Sequence, residues 1–485
     1  MRAKGVWWAV FAGCSAVAVY AQDGPVARLT YPEDLREDLS VIQQTLEQAH
    51  PDPYRYHSRT ELDSLFAGIA ATFTTPLTAE GFMAAVLPVF KAIGDAGTVL
   101  EPPAALGAQY DHSEPLIPIK VAVIGDQLFL DAELKGFRSL PTGCELLQIN
   151  GQPAAELLNK LRASLVPEGA DTTLTDCRIE QDFPLLYRRF IGASDRFRIT
   201  YRSSAGETGE RDVFAMTKEE MRQTYAPKGV ALAPWRLEEM PDLHAAWLTL
   251  ETMDEKELEQ FKINPERFLK GVQEALRRSK ASTLVVDVRG AGGWDMGMAG
   301  QVFALIARKP YRVVSSMSIR SGEAPDANRY TETGADFFAS VGGAYLPEVN
   351  GRRELKASDP RLVPVPPQKD AFGGKVYVVA NGLTTGAGAA FVMMANRSGR
   401  ARTVGGETGS NAASFCGGPM LTLTLPRTDC RLRVPLVRFV PEGTPAGPAN
   451  RGEMPASPVA RRWQDVAQGK DTVREALLQL IFELR

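Results

Sequence analysis

Apolar positions in residues 31–96 recur at helical spacing, through Leu35 to Gln48, Glu61 to Phe73 and Thr78 to Ile93, with Pro51, Pro53 and Pro76 at the junctions. This predicts an N-terminal helical cap, which we bound at 22–105. From about 106 to 215 the pattern changes to short apolar runs, Ile117 to Val123, Gln127 to Ala132 and Glu145 to Ile149, separated by Gly and Asn. Here Asn150-Gly151 predicts a tight turn, and Ala154 to Leu165 reads as a helix. Strand, tight turn and helix in that order read as a generic hairpin followed by a helix. Residues 235–440 alternate strands and helices: Ala246 to Leu250, Glu255 to Arg277, Ser282 to Val288, Tyr311 to Met317, Lys375 to Ala380, Ala389 to Arg397 and Arg402 to Gly405. The expectation is an α/β core with crossover helices. Residues 441–485 hold a Pro/Gly-rich loop and a closing helix from Thr472 to Phe482.

With 485 residues, 44% of them hydrophobic, the chain can bury cores in two or three domains. Its 58 acidic and 55 basic side chains give a formal charge of -3, so no overall field would attract nucleic acid or an anionic membrane. Residues 1–21 resemble a signal peptide: Arg2 and Lys4 precede an apolar run, Val19-Tyr20-Ala21 resembles a cleavage site, and Gln22 would start the mature chain. Export to a periplasmic or extracellular location follows, with lipid attachment at Cys14 as a lesser alternative and no membrane span in the mature chain. Cys144, Cys177, Cys416 and Cys430 then allow two disulfides, with local pairs, Cys416 with Cys430 and Cys144 with Cys177, favoured among three connectivities. Four histidines without metal-site spacing argue against a zinc hydrolase, and no cofactor is expected. Oligomeric state is not legible.

Candidate chemistry centres on Asn381 to Phe391, NGLTTGAGAAF, which follows an apolar strand in the manner of a nucleophile turn but lacks a serine. Further marks stand in order: VIQQTLEQAHPDPYRY at 41–56, Ile93-Gly94-Asp95-Ala96-Gly97-Thr98, the Gly143 to Gly151 segment, LVVDVRGAGG at 284–293, TVGGETG closing at Gly409, and Gly469-Lys470-Asp471. Together they resemble the tail-specific, or C-terminal processing, serine peptidases, including tricorn-like cores. The resemblance implies a peptidase-type α/β core with a helical cap and a PDZ-like or small β-rich domain.

It also implies a serine where Gly386 stands and, in the tricorn-like branch, a histidine base where Gly97 stands. In the bacterial branch the lysine base would fall within Gly406 to Asn411, with Asn411 in its place. Backbone N–H groups of Gly292 or Gly293 and of Ala387 resemble oxyanion donors; tight strand-end turns are the plainer account. Thr385 is an alternative nucleophile, and Thr384 and Thr385 could instead cap the following helix. His50 reads as a structural hydrogen-bonding group and His244 as a half-buried imidazole. Asp287 with Arg289 reads as a strand-end charge pair, Asp95 as a turn cap and Asp295 as a solvent-facing loop residue. Three functions are therefore open: binding of a peptide or protein terminus with weak or lost proteolysis, hydrolysis by an unorthodox nucleophile such as Thr385, and an interaction protein with a vestigial site.

Overall fold

The computed structural model describes residues 28–134, 140–225, 232–325, 330–445 and 447–483; the expected signal peptide and Cys14 lie outside these. Three helices open the chain: α1 (Pro32–Ala49), α2 (Arg59–Thr72) and α3 (Ala79–Ile93). In α1, Leu35, Leu39, Ile42 and Leu46 share one face and are buried. Ser58 and Glu61 form a reciprocal capping box on α2, and α3 ends at Gly94 in the left-handed conformation. Strand β1 (Val99–Glu101) follows.

After α4 (Ala104–His112) comes an antiparallel sheet: β2 (Ile119–Ile124), β3 (Gln127–Glu133), β4 (Glu145–Ile149), β5 (Gln152–Pro153), then helices α5 (Ala154–Ala163) and α6 (Thr173–Phe190), strands β6 (Arg196–Arg202) and β7 (Thr208–Phe214), and α7 (Lys218–Tyr225). Strand order is β2-β3-β4-β6-β7, with β5 on β4. Asn150 and Gly151 both have positive φ, 51° and 78°, which a two-residue hairpin turn of this hand requires. The sheet has its own core of Leu146, Ile149, Leu158, Ile179, Phe183 and Phe197.

The remaining chain builds two sheets from β8 (Trp235–Met240), β9 (Ala245–Leu250), α8 (Glu255–Gln260), α9 (Pro265–Ser279), β10 (Thr283–Asp287), α10 (Met296–Ala304), β11 (Val314–Ile319), β12 (Thr331–Thr333), α11 (Ala335–Ser340), β13 (Arg353–Glu354), β14 (Lys375–Ala380), α12 (Gly386–Arg397), β15 (Arg402–Gly405), β16 (Phe415–Thr424), β17 (Arg431–Pro441), β18 (Ser457–Pro458), α13 (Trp463–Ala467) and α14 (Thr472–Glu483). One sheet runs β18-β15-β14-β10-β9-β8, parallel except for β8. The middles of its central strands are apolar, as burial on both faces demands: Leu284, Val285 and Val286 fill the centre of β10, and all five residues of that strand are buried.

The other sheet runs β12-β16-β17-β11-β13, with β1 also on β17. One end of its long hairpin packs Leu421, Leu423, Leu432, Val434 and Leu436 against α1, α2 and α3. Its other end gives Phe415, Val437 and Phe439 to the core around α10 and α12.

Three expectations change. The strand expected at Tyr311 to Met317 runs Val314–Ile319 and belongs to the antiparallel sheet, because it pairs with β17. The helix expected from Glu255 to Arg277 divides, since Asn264 caps α9 with Pro265 at its first position. No disulfide joins the four described cysteines. Cys416 faces Arg438 near one end of the β16–β17 hairpin, whereas Cys430 lies at the other end, where Thr424 faces Arg431. Most of a ten-residue strand separates them, roughly 27 Å at about 3.4 Å per residue, against a Cα limit of about 7 Å for a disulfide. Cys144 sits at the start of β4 and Cys177 on α6, and these thiols are also free.

Candidate functional site

In an open parallel sheet, chemistry gathers at the carboxyl ends of the strands. Here the loops leaving β9, β10, β14 and β15 meet at that edge and bond to one another through their backbones. Met253 N–H donates to Gly292 O at 2.7 Å, Thr385 N–H to Ala291 O at 3.0 Å, and Gly409 N–H to Thr384 O at 2.9 Å. Asp287 and Arg289 pair at 2.7 Å as expected, and the guanidinium also reaches Asp471 at 2.6 Å, tying the start of α14 to the glycine loop. Burial alone would raise the Asp471 carboxyl, but the Arg289 contact outweighs it and holds the group low.

Gly386 opens α12 with φ of 53°. A Cβ built there would collide with the carbonyl oxygen of Gly293. That carbonyl accepts the Ala387 N–H at 2.8 Å, while the Gly386 N–H donates to Ser410 Oγ at 2.9 Å. The expectation of an outward-facing donor at Ala387 is therefore corrected: the N–H is spent within the loop. Thr384 is fully buried, its hydroxyl donating to Val288 O at 2.9 Å. Thr385 holds the N-cap position without a side-chain cap; the Ala387 N–H, one of the two donors a cap would accept, is taken by the Gly293 carbonyl. Its hydroxyl stands 3.4 Å from where a Cβ on Gly292 would lie.

Trp294 fills the space beside this turn. A Cβ on Gly417 would collide with its indole, and one on Gly386 would approach the same ring at 3.0 Å. On its other side Trp294 borders a groove of about 1070 Å³ between α9, α10, β11 and β17. Asp295, exposed as expected, caps α10 by accepting the Gly297 N–H at 2.8 Å, and it lies on the groove rim.

The second predicted position, Gly97, sits over a buried polar cluster. Asp95 accepts the Gly97 N–H at 3.1 Å and the Thr98 hydroxyl at 2.5 Å, the turn-capping role expected of it. His50 Nε2 lies 3.0 Å from Asp95 Oδ2, and His50 Nδ1 accepts the Asp52 N–H at 3.1 Å. These bonds fix the Nε2–H tautomer and give His50 the structural role predicted for it. Burial works to raise the Asp95 carboxyl, but hydrogen bonds from His50, Thr98 and the Gly97 N–H hold it low. Glu168 accepts the Ala96 N–H at 3.0 Å and lies 3.4 Å from Arg55, yet burial and the nearby Asp95 push its carboxyl up to about 8.

Donor atoms of His50, Asp95 and Cys416 lie within 4.8 Å of one another, the one such group among the described residues. They do not suit a cation. A metal on Nε2 would require a proton on Nδ1, which already faces the Asp52 N–H, and the Arg55 guanidinium lies 3.8 Å from Cys416 Sγ.

The structure does not unite the other candidates. His244 precedes β9 at the amino end of the parallel sheet and so lies at the opposite edge from Thr385. Asn411 is engaged structurally, its amide donating to Tyr56 Oη and Ala449 O, both at 2.9 Å. Sequence reading missed Ser410 and Trp294. Their only signal was position, one residue before Asn411 and one after the glycine pair.

Residues 245–414 match the model of peptidase family S41. Among curated protein sequences none matches the chain. Solved structures of mature CPAF (14% identity, TM-score 0.64) and of mature CPAF complexed with lactacystin (13% identity, TM-score 0.63) each cover 93% of this chain and 98% of their own. At such identity the likeness is one of fold. Residues 245–414 are thus similar in sequence to peptidase family S41, and most of the chain is similar in fold to mature CPAF.

Proposed function

We propose that this protein uses the S41 fold to hold a polypeptide segment or terminus without cleaving it by serine chemistry. One observation carries the reading: at Gly386, where the family resemblance calls for the nucleophile, the backbone is left-handed and the Gly293 carbonyl occupies the room a side chain would need. A serine needs an oxygen beside a base and donors aimed at the developing oxyanion. Gly386 supplies no oxygen, Gly97 supplies no base, and the Ala387 N–H is bonded to Gly293. No hydrogen bond from a base reaches the Thr385 hydroxyl among the described residues, so nothing favours a threonine nucleophile.

Export remains part of this proposal on the strength of residues 1–21. No helix among the described residues is long and apolar enough to cross a membrane. Treatment of the purified chain with a fluorophosphonate probe tests the loss of serine chemistry. No adduct is expected. An adduct on Thr385 or Ser410 by peptide mass spectrometry would overturn the reading.

A further inference from the structure

We infer that a cavity at the amino edge of the parallel sheet, opposite the Gly386 turn, binds the phosphate group of a small phosphate monoester. The site shares no residue with the non-cleaving reading above and stands or falls apart from it. Three strand starts are clasped here through their backbones. The Ser282 and Thr283 N–H groups donate to His244 O at 2.8 and 3.3 Å, and the Lys375 N–H donates to Ser282 O at 2.9 Å. Thr283 pairs in register with Lys375, and side chains two apart on a strand share a face, so Thr283, Lys375 and Tyr377 stand on one side of the sheet. Ile481 of α14 packs over that side with Leu243, leaving a cavity of about 320 Å³.

The donors on this cavity have no partners in the chain. Thr283 and Tyr377 are only 5% and 6% exposed, yet among the described residues neither hydroxyl is hydrogen-bonded and neither is sealed from solvent. Both line the cavity. Buried polar groups are nearly always bonded, so two free hydroxyls on one cavity point to a ligand that bonds them. The Lys375 ammonium and the His244 imidazole, which is exposed rather than half-buried, are likewise unpaired among the described residues. His244 also has φ of 45°, a strained backbone conformation of the kind that clusters at ligand sites.

Charge and donor number select phosphate. No Asp or Glu lines the cavity, and Asp242, two residues before His244, is exposed outside the lining. Lys375, His244, Thr283 and Tyr377 together offer at least about six N–H and O–H bonds, more than the roughly four lone-pair sites of a carboxylate. A phosphate monoester brings three strong acceptor oxygens and a charge of about −1.5 to −2. Ser282, whose hydroxyl donates to His244 O at 3.3 Å, completes the polar wall. The volume lies at the lower end of the roughly 300–1,000 Å³ of small-molecule sites, and Leu243 and Ile481 give a short carbon body an apolar wall.

The test titrates the purified full chain with phenyl phosphate, benzoate and inorganic phosphate by calorimetry at fixed ionic strength. Phenyl phosphate should bind at least about tenfold more tightly than benzoate, and inorganic phosphate should compete with it. Lys375→Gln, Thr283→Val and Tyr377→Phe should each weaken phenyl phosphate binding by about tenfold. Lys256→Gln, on α8 at the opposite edge of the sheet, should leave it unchanged. Lys375 is exposed and unpaired among the described residues, so its variant tests the site without disturbing a core; thermal midpoints check folding of the other two.

No binding of phenyl phosphate by a folded chain, or benzoate bound as tightly, would overturn the inference. A loss from Lys256→Gln as large as that from Lys375→Gln would overturn it too, by showing attraction to surface charge alone. Binding of inorganic phosphate without phenyl phosphate would overturn the monoester assignment.

Discussion

The turn at Gly386 and the cluster beneath Gly97 face the same question with opposite materials. The turn is made almost wholly of backbone: glycines, carbonyls and one serine hydroxyl, with no titratable side chain in the Gly386–Ala389 segment. The cluster is dense with titratable groups, His50, Asp52, Arg55, Asp95, Glu168 and Cys416, but it is buried and its members bond to one another. Where side chains could do chemistry there is no room for a substrate. Where there is room, in the groove past Trp294, the floor is apolar, built of Leu305, Val314, Met317, Val437 and Phe439. Catalysis needs both in one place, and the separation of the two is what argues for binding over hydrolysis.

Removing Arg55 should break the comparison hardest. Arg55→Ala takes the cation away from Glu168 while Asp52 keeps Arg352 and Arg438, so the loss should be about 3 kcal/mol, the low end for breaking a buried pair. Chemical denaturation should show a loss of that order. A change under 1 kcal/mol would mean that the cluster does not fasten the segment after α1 to its neighbours.

Gly386→Ser probes the turn. A side chain on left-handed backbone against the Gly293 carbonyl combines about 1–2 kcal/mol of backbone strain with about 1–3 kcal/mol of overpacking. The variant should be destabilised by a few kcal/mol, and the double variant Gly386→Ser, Gly97→His should gain no hydrolysis. A stable double variant that cleaves peptides would show that the turn retains a workable nucleophile position.

Stability against pH sharpens the contrast, because only the cluster titrates. Glu168 is pushed up to about 8 in the folded chain from an ordinary 4.5. A folded-state value above the unfolded one means that the native state binds the proton more tightly. Its stabilisation is full below about 4.5 and is lost as pH rises through about 8. Asp171, pushed up to about 6 by burial and Glu407, acts with the same sign lower in that window. Stability should therefore decline between pH 5 and 8, and Glu168→Gln should flatten the upper part of the decline. A rise with pH across this window would contradict the sign.

The smallest effect concerns the thiols. Burial pushes Cys144 and Cys177 up to about 12 and Cys430 up to about 11, so little thiolate is present at neutral pH. Reductant should leave the thermal midpoint unchanged, and a thiol reagent should react with these residues only after unfolding. A midpoint lowered by reductant would reveal a disulfide.

Much of the fold was legible because its signals are local. The helical spacing from Glu61 to Phe73, the Asn150-Gly151 turn and the apolar run within Ser282 to Val288 each announce an element within a few residues. The β16–β17 hairpin was less legible: its Arg431, Arg433 alternation with Leu432, Val434 has a strand period, but nothing local tells which sheet it joins. Of the site, the absent serine and histidine side chains could be read at Gly386 and Gly97 once the family resemblance was in hand. The role of Trp294 could not, since it depends on loops from β10, β14 and the start of β16 meeting in space. Ser410 was hidden for the same reason, its hydroxyl reaching a backbone N–H 24 residues away.

The central claim is best tested by incubating the purified mature chain with a diverse set of unfolded proteins and C-terminal peptides, beside a Thr385→Ala control, and reading products by mass spectrometry. No defined products from either folded protein is the expected result. Defined products that disappear in the Thr385→Ala protein would contradict the account and identify a threonine-dependent peptidase.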